Sequence, residues 1–183
     1  MRESTPHMES FLESVQRRAF RIAHFATGTD EDALDIVQES MLALVRRYGA
    51  KPEKQRKVLF YKILRNKIRD WHRRQAVRNR WRIWLKPKNS EFADDTSDPL
   101  GNVPDNFSKT PVEQLIMEDT VNAVDTAVRK LPARQQQAFL LWAWEDLSVA
   151  ETAAVMSCSE GSVKTHYARA IQKLRQMLGD LQA

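Results

Sequence analysis

The sequence predicts an all-α protein: two small helical domains joined by a flexible acidic linker, the second containing a helix-turn-helix. Three observations carry this. Apolar residues recur every three or four positions on both sides of the chain's middle, the spacing of helices with one buried face. Between them, Asn89 to Pro111 is rich in Asp, Ser, Asn, Pro and Gly and has no helical or strand period. Near the C-terminus a short amphipathic stretch, a tight turn and a longer amphipathic stretch follow one another. The 183 residues thus divide into 1–88, 89–111 and 112–183.

In the first domain, Met1 to Glu9 is polar and expected to fray. Phe11, Leu12, Val15, Ala19, Ile22, Ala23 and Ala26 mark a first helix ending near Gly28. Asp30 is expected to cap the second, with Glu31 and Asp32 at its positive end. Leu34, Val37, Met41, Leu44 and Val45 are expected as its buried stripe, leaving Asp32, Asp35, Gln38 and Glu39 on other faces. Gly49 to Lys57 reads as a turn and basic loop, because Pro52 forbids a continuous helix. A long helix follows, buried through Leu59, Phe60, Ile63, Leu64, Ile68 and Trp71. Its apolar spacing weakens between Arg74 and Arg80, where a break or bend is expected.

In the second domain, Met117, Val121, Val124, Val128 and Leu131 form one helix, starting near Thr110-Pro111. Pro132 opens the next, which runs to about Trp144 with Ala138, Phe139, Leu141 and Trp142 inward. Ser148 and Glu151 form a capping box for a short helix through Met156. Ser157-Cys158-Ser159 is the turn, and Ser159 caps a last helix buried through Val163, Tyr167, Ala170, Leu174 and Leu178.

Charge distribution points to a polyanion. The net charge is +5, yet Lys51 to Lys88 holds 15 basic and two acidic residues, and Asn89 to Asp119 holds eight acidic residues against Lys109 alone. Lys57, Lys62, Arg65, Asn66, Arg69, Asp70, Arg73 and Arg74 lie along the long helix. Like charges stacked on one helix repel unless neutralised. Trp71, His72, Trp81 and Trp84 stand among them, as aromatics do where unpaired bases stack. A solvated cationic face over a tryptophan-containing core is the competing reading. For Trp81 and Trp84, packing under the domain is favoured over a partner surface. On the last helix, Ser162, Thr165, His166, Arg169 and Lys173 face outward with Lys164 at the edge, a set suited to bases and phosphates in a major groove.

Other functions are disfavoured. Cys158 is the single cysteine, so no internal disulfide or cysteine-built zinc site can form. Four scattered histidines show no metal spacing, and no nucleophile or acid–base pair stands out, so no metal, cofactor or catalysis is expected. No apolar run approaches a membrane span, and no signal peptide opens the chain; a soluble, cytoplasmic protein is expected.

These residues also carry a family resemblance. Asp32-Ala-Leu-Asp-Ile-Val-Gln-Glu-Ser-Met-Leu42 resembles the D-A-x-D-x-x-Q-E-x-x-L signature of bacterial RNA polymerase sigma factors. Tyr61 to Trp71 resembles the promoter-binding helix that follows it. Leu131 to Leu141, Leu147 to Ala154 and Gly161 to Ala170 resemble the family's C-terminal domain. With no domain between the halves, the chain resembles the extracytoplasmic-function (ECF) group of the sigma-70 family. The resemblance implies that Asp32, Asp35, Gln38 and Glu39 dock on core RNA polymerase. It assigns the minus-ten element to the long basic helix, the minus-thirty-five element to the last helix, and the RNA-exit region to the linker. It admits an anti-sigma factor as a further partner. Ser157 departs from the glycine usual in the turn, and Trp142 and Trp144 from a basic-aromatic pair. A dimeric helix-turn-helix regulator that does not bind core polymerase remains the alternative.

Overall fold

The structure is a computed structural model that describes residues 5–85 and 122–179, with side chains at 7–52, 55–78 and 122–179. Every regular element among them is helical. The linker 89–111, the helix start at Thr110-Pro111, Met117 and Val121, and the side chains of Trp81 and Trp84 lie outside the described residues.

Helices α1 (Thr5–Thr27), α2 (Asp30–Tyr48) and α3 (Glu53–Leu85) make the first half. Of the segment expected to fray, residues 5–9 are helical: α1 starts at Thr5, and Met8 reaches the core, 6% exposed. Gly28 closes α1 with φ +80, a left-handed conformation that glycine adopts without a Cβ clash. Thr29, not Asp30, is the N-cap of α2; its hydroxyl donates to Asp32 Oδ2 at 2.8 Å, so Asp32 serves the helix start.

The buried face of α2 differs from the expected one. Ala33, Ile36, Val37, Ser40 and Leu44 are buried, whereas Leu34, Leu42 and Val45 are exposed. Small Ala33 and Ser40 let α1 and α3 approach closely. Ser40 fits an apolar interior because its hydroxyl donates to Ile36 O at 2.6 Å.

Pro52 does interrupt the helices, but α3 resumes at Glu53, so Arg56 and Lys57 are helical rather than in a loop. Arg56 is buried and its Nε donates to Lys51 O at 3.0 Å, tying down the turn. No break occurs between Arg74 and Arg80; α3 is continuous for 33 residues. Weakened apolar spacing there marks departure from the core, not helix termination, since the segment has neither Gly nor Pro. Phe60, Tyr61, Leu64 and Ile68 form its buried stripe, with Trp71 half-buried against it.

In the second half, residues 122–129 (α4) are helical, followed by α5 (Ala133–Phe139), a π-helical turn (Leu140–Trp144), α6 (Val149–Met156) and α7 (Glu160–Gly179). The helix expected to reach Trp144 therefore changes character at Leu140. Glu145 N–H bonds to Leu140 O at 3.0 Å, so an extra residue is accommodated and the end of the helix is re-aimed. The capping box forms: Glu151 N–H donates to Ser148 Oγ at 3.2 Å, and Ser148 N–H to Glu151 Oε2 at 2.9 Å. Ser157 adopts φ 52, ψ 53, the left-handed backbone that its place in the turn demands. Ser159 caps α7 by accepting from Ser162 N–H at 3.1 Å.

The two halves pack on one another. One buried cluster joins Ala19, Phe60, Tyr61 and Leu64 to Leu141, Leu147, Val155 and Met156. A second sets Phe25 of α1 among Val128, Leu131, Leu140, Ala170 and Leu174.

Replacing Ser148 with alanine removes the cap and should cost about 1 kcal/mol, read as a lower urea midpoint at unchanged slope. The same hydrogen bonds hold the Glu151 carboxyl below its ordinary pKa. A depressed carboxylate stabilises above its ordinary pKa and loses that contribution as pH falls through the folded value. The gap between wild type and Ser148→Ala should therefore narrow on acidification through that range.

Candidate nucleic-acid interface

Helix α3 divides its circumference. Lys62, Arg69 and Arg73 project from one exposed face, with half-buried Asn66 among them. Arg74 and half-buried Asp70 lie on a neighbouring flank. Past the core, Arg73, Arg74, Val77 and Arg78 line a shallow cationic hollow. Of the aromatics placed among the cations, Trp71 packs on the core, its ring edge to the exposed His72 ring at 4.9 Å between centroids. Trp71 therefore follows the core reading rather than the base-stacking one.

Lys57 and Arg65 sit apart from that exposed face, against the second half. Arg65 Nη1 donates to Val155 O and to Ser157 Oγ, both at 3.1 Å. Burial lowers the pKa of its guanidinium, and the charges of Arg134 and Arg69 act in the same direction. Arg134 Nη1 reaches Met156 O at 3.0 Å, so two arginines cap the last carbonyls of α6.

On α2, Asp35, Gln38 and Glu39 are exposed and Asp32 is half-exposed. Leu34, Leu42 and Val45 share this outer surface, an aliphatic component of which periodicity had assigned Leu34 and Val45 to the core. Glu39 is also bridged to α3, its Oε2 2.6 Å from Lys67 Nζ.

On α7, Thr165, Arg169 and Lys173 are exposed, with Ser162 and His166 half-buried beside them. Ser162 Oγ lies 2.9 Å from Ser159 Oγ, and Thr165 Oγ1 donates to Gly161 O at 2.9 Å, so both hydroxyls are held by the helix start. Lys164 is exposed but does not join them. The helical repeat sets it on another flank with Tyr167 and Ile171. Tyr167 packs on Trp142 at 4.3 Å and on Phe139 at 6.5 Å between ring centroids. Trp144 meets α1 instead: Phe25 is edge-on at 6.4 Å and the Arg21 guanidinium lies 4.9 Å from its ring centre. Both unusual tryptophans are thus structural.

Two residues that sequence reasoning missed stand between the halves. Glu145 is 1% exposed; its Oε2 accepts from Tyr61 Oη of α3, and its carbonyl accepts from Lys57 Nζ. Arg18 Nη1 of α1 lies 3.9 Å from the same Oε2. Burial raises the Glu145 pKa, opposed by the Tyr61 hydrogen bond and the cations; burial and Glu145 likewise raise that of Tyr61. No motif signals this pairing, because its members are 84 residues apart.

A model described as sigma-70 region 2 matches residues 11–78, and one described as sigma-70, region 4 matches residues 122–174. The chain belongs to the sigma-70 family. Its relatives place it in the ECF group. One is the ECF RNA polymerase sigma factor BldN of Streptomyces coelicolor, 28% identical over 163 residues that cover 88% of this chain and 56% of that protein. Another is the RNA polymerase sigma-E factor of Streptomyces avermitilis, 26% identical over 170 residues, 93% of this chain and 84% of that one. The Bartonella quintana sigma factor RpoE, crystallised with the anti-sigma factor NepR, shares the fold. Its TM-score is 0.71 at 18% identity, over 98% of both chains. In this sigma factor, α1 to α3 are region 2 and α4 to α7 are region 4, α7 being the second helix of the helix-turn-helix. Among the described residues no helix is long and apolar enough to cross a membrane, and no group of side chains suits a metal.

Proposed function

We propose that this ECF sigma factor binds core RNA polymerase through the outer face of α2, engages and melts the minus-ten element with α3, and reads the minus-thirty-five element with α7. The observation that carries this is the separation of surfaces. An acidic, aliphatic face lies on α2, a cationic face on α3, and a polar and basic face on the second helix of the helix-turn-helix.

Each surface suits its target. Exposed Leu34, Leu42 and Val45 lose contact with water when a partner covers them, and each fully buried aliphatic side chain contributes about 1.5–3 kcal/mol. Asp35 and Gln38 at their margin supply orientation. Lys62, Arg69 and Arg73 attract phosphates, and melting is offset when extruded bases find protein contacts. On α7, Arg169 suits guanine and Lys173 a phosphate. Reading 1–88 and 112–183 as modules joined by 89–111, the second contact gains from a high effective concentration once the first forms. The chain supplies binding energy and no catalysis of its own, and acts in the cytoplasm. An anti-sigma factor, the partner present in the Bartonella structure, fits the same reading. Retention of core polymerase in a pull-down separates this function from that of a dimeric regulator.

Asp35→Arg combined with Leu42→Ala should abolish retention of core polymerase without loss of helicity, since both side chains are outside the core. Wild-type affinity would remove this face from the interface.

Arg69→Ala with Arg73→Ala should leave core binding intact and sharply reduce promoter opening, with a premelted bubble restoring much of the activity. Permanganate reactivity of promoter thymines is the measurement; full reactivity on duplex DNA would exclude the assignment.

Arg169→Ala should weaken upstream-element binding by about 1–3 kcal/mol and relax preference at one base pair. Lys173→Ala should weaken all sequences alike and reduce the salt slope. An unchanged base preference would make Arg169 a phosphate contact.

A further inference from the structure

Helix α3 outlasts both its core and its family match. Ile68 is its last buried residue, and Trp71 the last packed against the core. The region 2 match ends at residue 78, yet the helix runs on to Leu85. At 1.5 Å per residue, 72–85 projects about 20 Å, the length of about six base-pair steps of duplex. Of residues 72–78 only Gln75 is half-buried; the rest are exposed.

The charge of this arm is one-sided. Asp70 is the last acidic residue before Glu91, and 72–85 holds Arg73, Arg74, Arg78, Arg80 and Arg82. Its cations are all arginine, whereas the packed part of α3 also carries Lys57, Lys62 and Lys67. A guanidinium pairs with a phosphate through two parallel N–H donors; an ammonium acts as a point charge. Arg73, Arg74 and Arg78 surround exposed Val77 in one hollow. Among the described residues none of these three arginines has an ion-pair or hydrogen-bond partner. Arg74 and Arg78 are one helical turn apart, so they repel. A projecting helix has no core burial to offset that repulsion, and a polyanion along the hollow removes it.

The groups on 73–78 suit phosphates and not unpaired bases. Ala76 and Val77 offer no ring on which a base could stack, and the exposed His72 ring is engaged by Trp71. Chain order indicates which DNA is within reach. Beyond the minus-ten face, α3 leads into 89–111 and on to region 4, so the next DNA met is the paired spacer before the minus-thirty-five element.

We propose that residues 72–85 of α3 form a duplex-binding arm, in which Arg74 and Arg78 hold backbone phosphates of the unmelted spacer just upstream of the minus-ten element, whatever its sequence. This rests on the assignment of α3 to promoter DNA. The contact adds affinity for the paired DNA behind the bubble and leaves base reading to Lys62, Asn66, Arg69 and Arg73.

Arg78→Gln tests the arm, because Arg78 is exposed and outside the minus-ten face. Holoenzyme assembled on core polymerase is titrated against two forked oligonucleotides, one ending at the upstream edge of the minus-ten element and one extended by the spacer duplex. On the extended DNA, Arg78→Gln should bind about tenfold more weakly than wild type. Its slope of log affinity against log salt should fall by about one, and a scrambled spacer sequence should leave the loss unchanged. On the truncated DNA the two proteins should bind alike. Neutral methylphosphonates in the spacer backbone should weaken wild type and leave Arg78→Gln unaffected.

Equal loss on both DNAs would overturn the arm and place Arg78 in the minus-ten site. Unchanged affinity and slope on the extended DNA would show that the arm does not touch duplex. Weaker retention of core polymerase by Arg78→Gln would assign the arm to a protein surface instead. Arg69→Ala with Arg73→Ala on the truncated DNA tests the underlying assignment separately: wild-type binding there would remove α3 from the minus-ten element, whatever Arg78→Gln does.

Discussion

The division of α3's circumference is the constraint on which the other elements depend. One sector, from Phe60 through Leu64 to Ile68, must be buried, or α1 and α2 have nothing to pack against. Another carries cations that repel each other and gain nothing from a core. Helical geometry keeps the two apart for as long as the phase holds. Because α3 continues past the core without Gly or Pro, the same rod that closes region 2 also projects its charges into solvent. Arg56 and Arg65 show what happens at the border between sectors. Each is drawn into structure by backbone carbonyls, and each ceases to be a free cation.

Region 4 is shaped by a comparable exchange. The π-helical turn at Leu140–Trp144 adds a residue to a helix that would otherwise run straight. That extra residue sends Trp144 toward Phe25 and Arg21 and sets Glu145 beside Tyr61. The Phe25–Trp144 contact is apolar, whereas the Glu145 carboxylate is served by Tyr61 Oη and, at 3.9 Å, by Arg18 Nη1. The left-handed Ser157 is part of the same design, since its hydroxyl gives Arg65 an acceptor where glycine would offer none.

Legibility from sequence followed the range of the interaction. The capping box at Ser148 and Glu151, the Ser159 cap, the Gly28 stop and the apolar stripe of α7 are set by residues within one or two turns, and all were readable. The buried face of α2 was not. Apolar residues surround most of that helix, so periodicity alone does not fix its phase, and the small Ala33 and Ser40 were chosen by close approach rather than hydrophobicity. Lys164 was placed at the edge of the outward face of α7, although the helix carries it to another flank.

By itself the sequence determined the helices, their order, the location of the cationic block and the sigma-70 resemblance, because periodicity, caps and charge runs are local properties of the chain. Tertiary structure alone decided which face of α2 is free, which cations of α3 are free, and that Tyr61 and Glu145 meet. Those outcomes depend on what lies across a packed interface, and partners 84 residues apart leave no mark in local spacing.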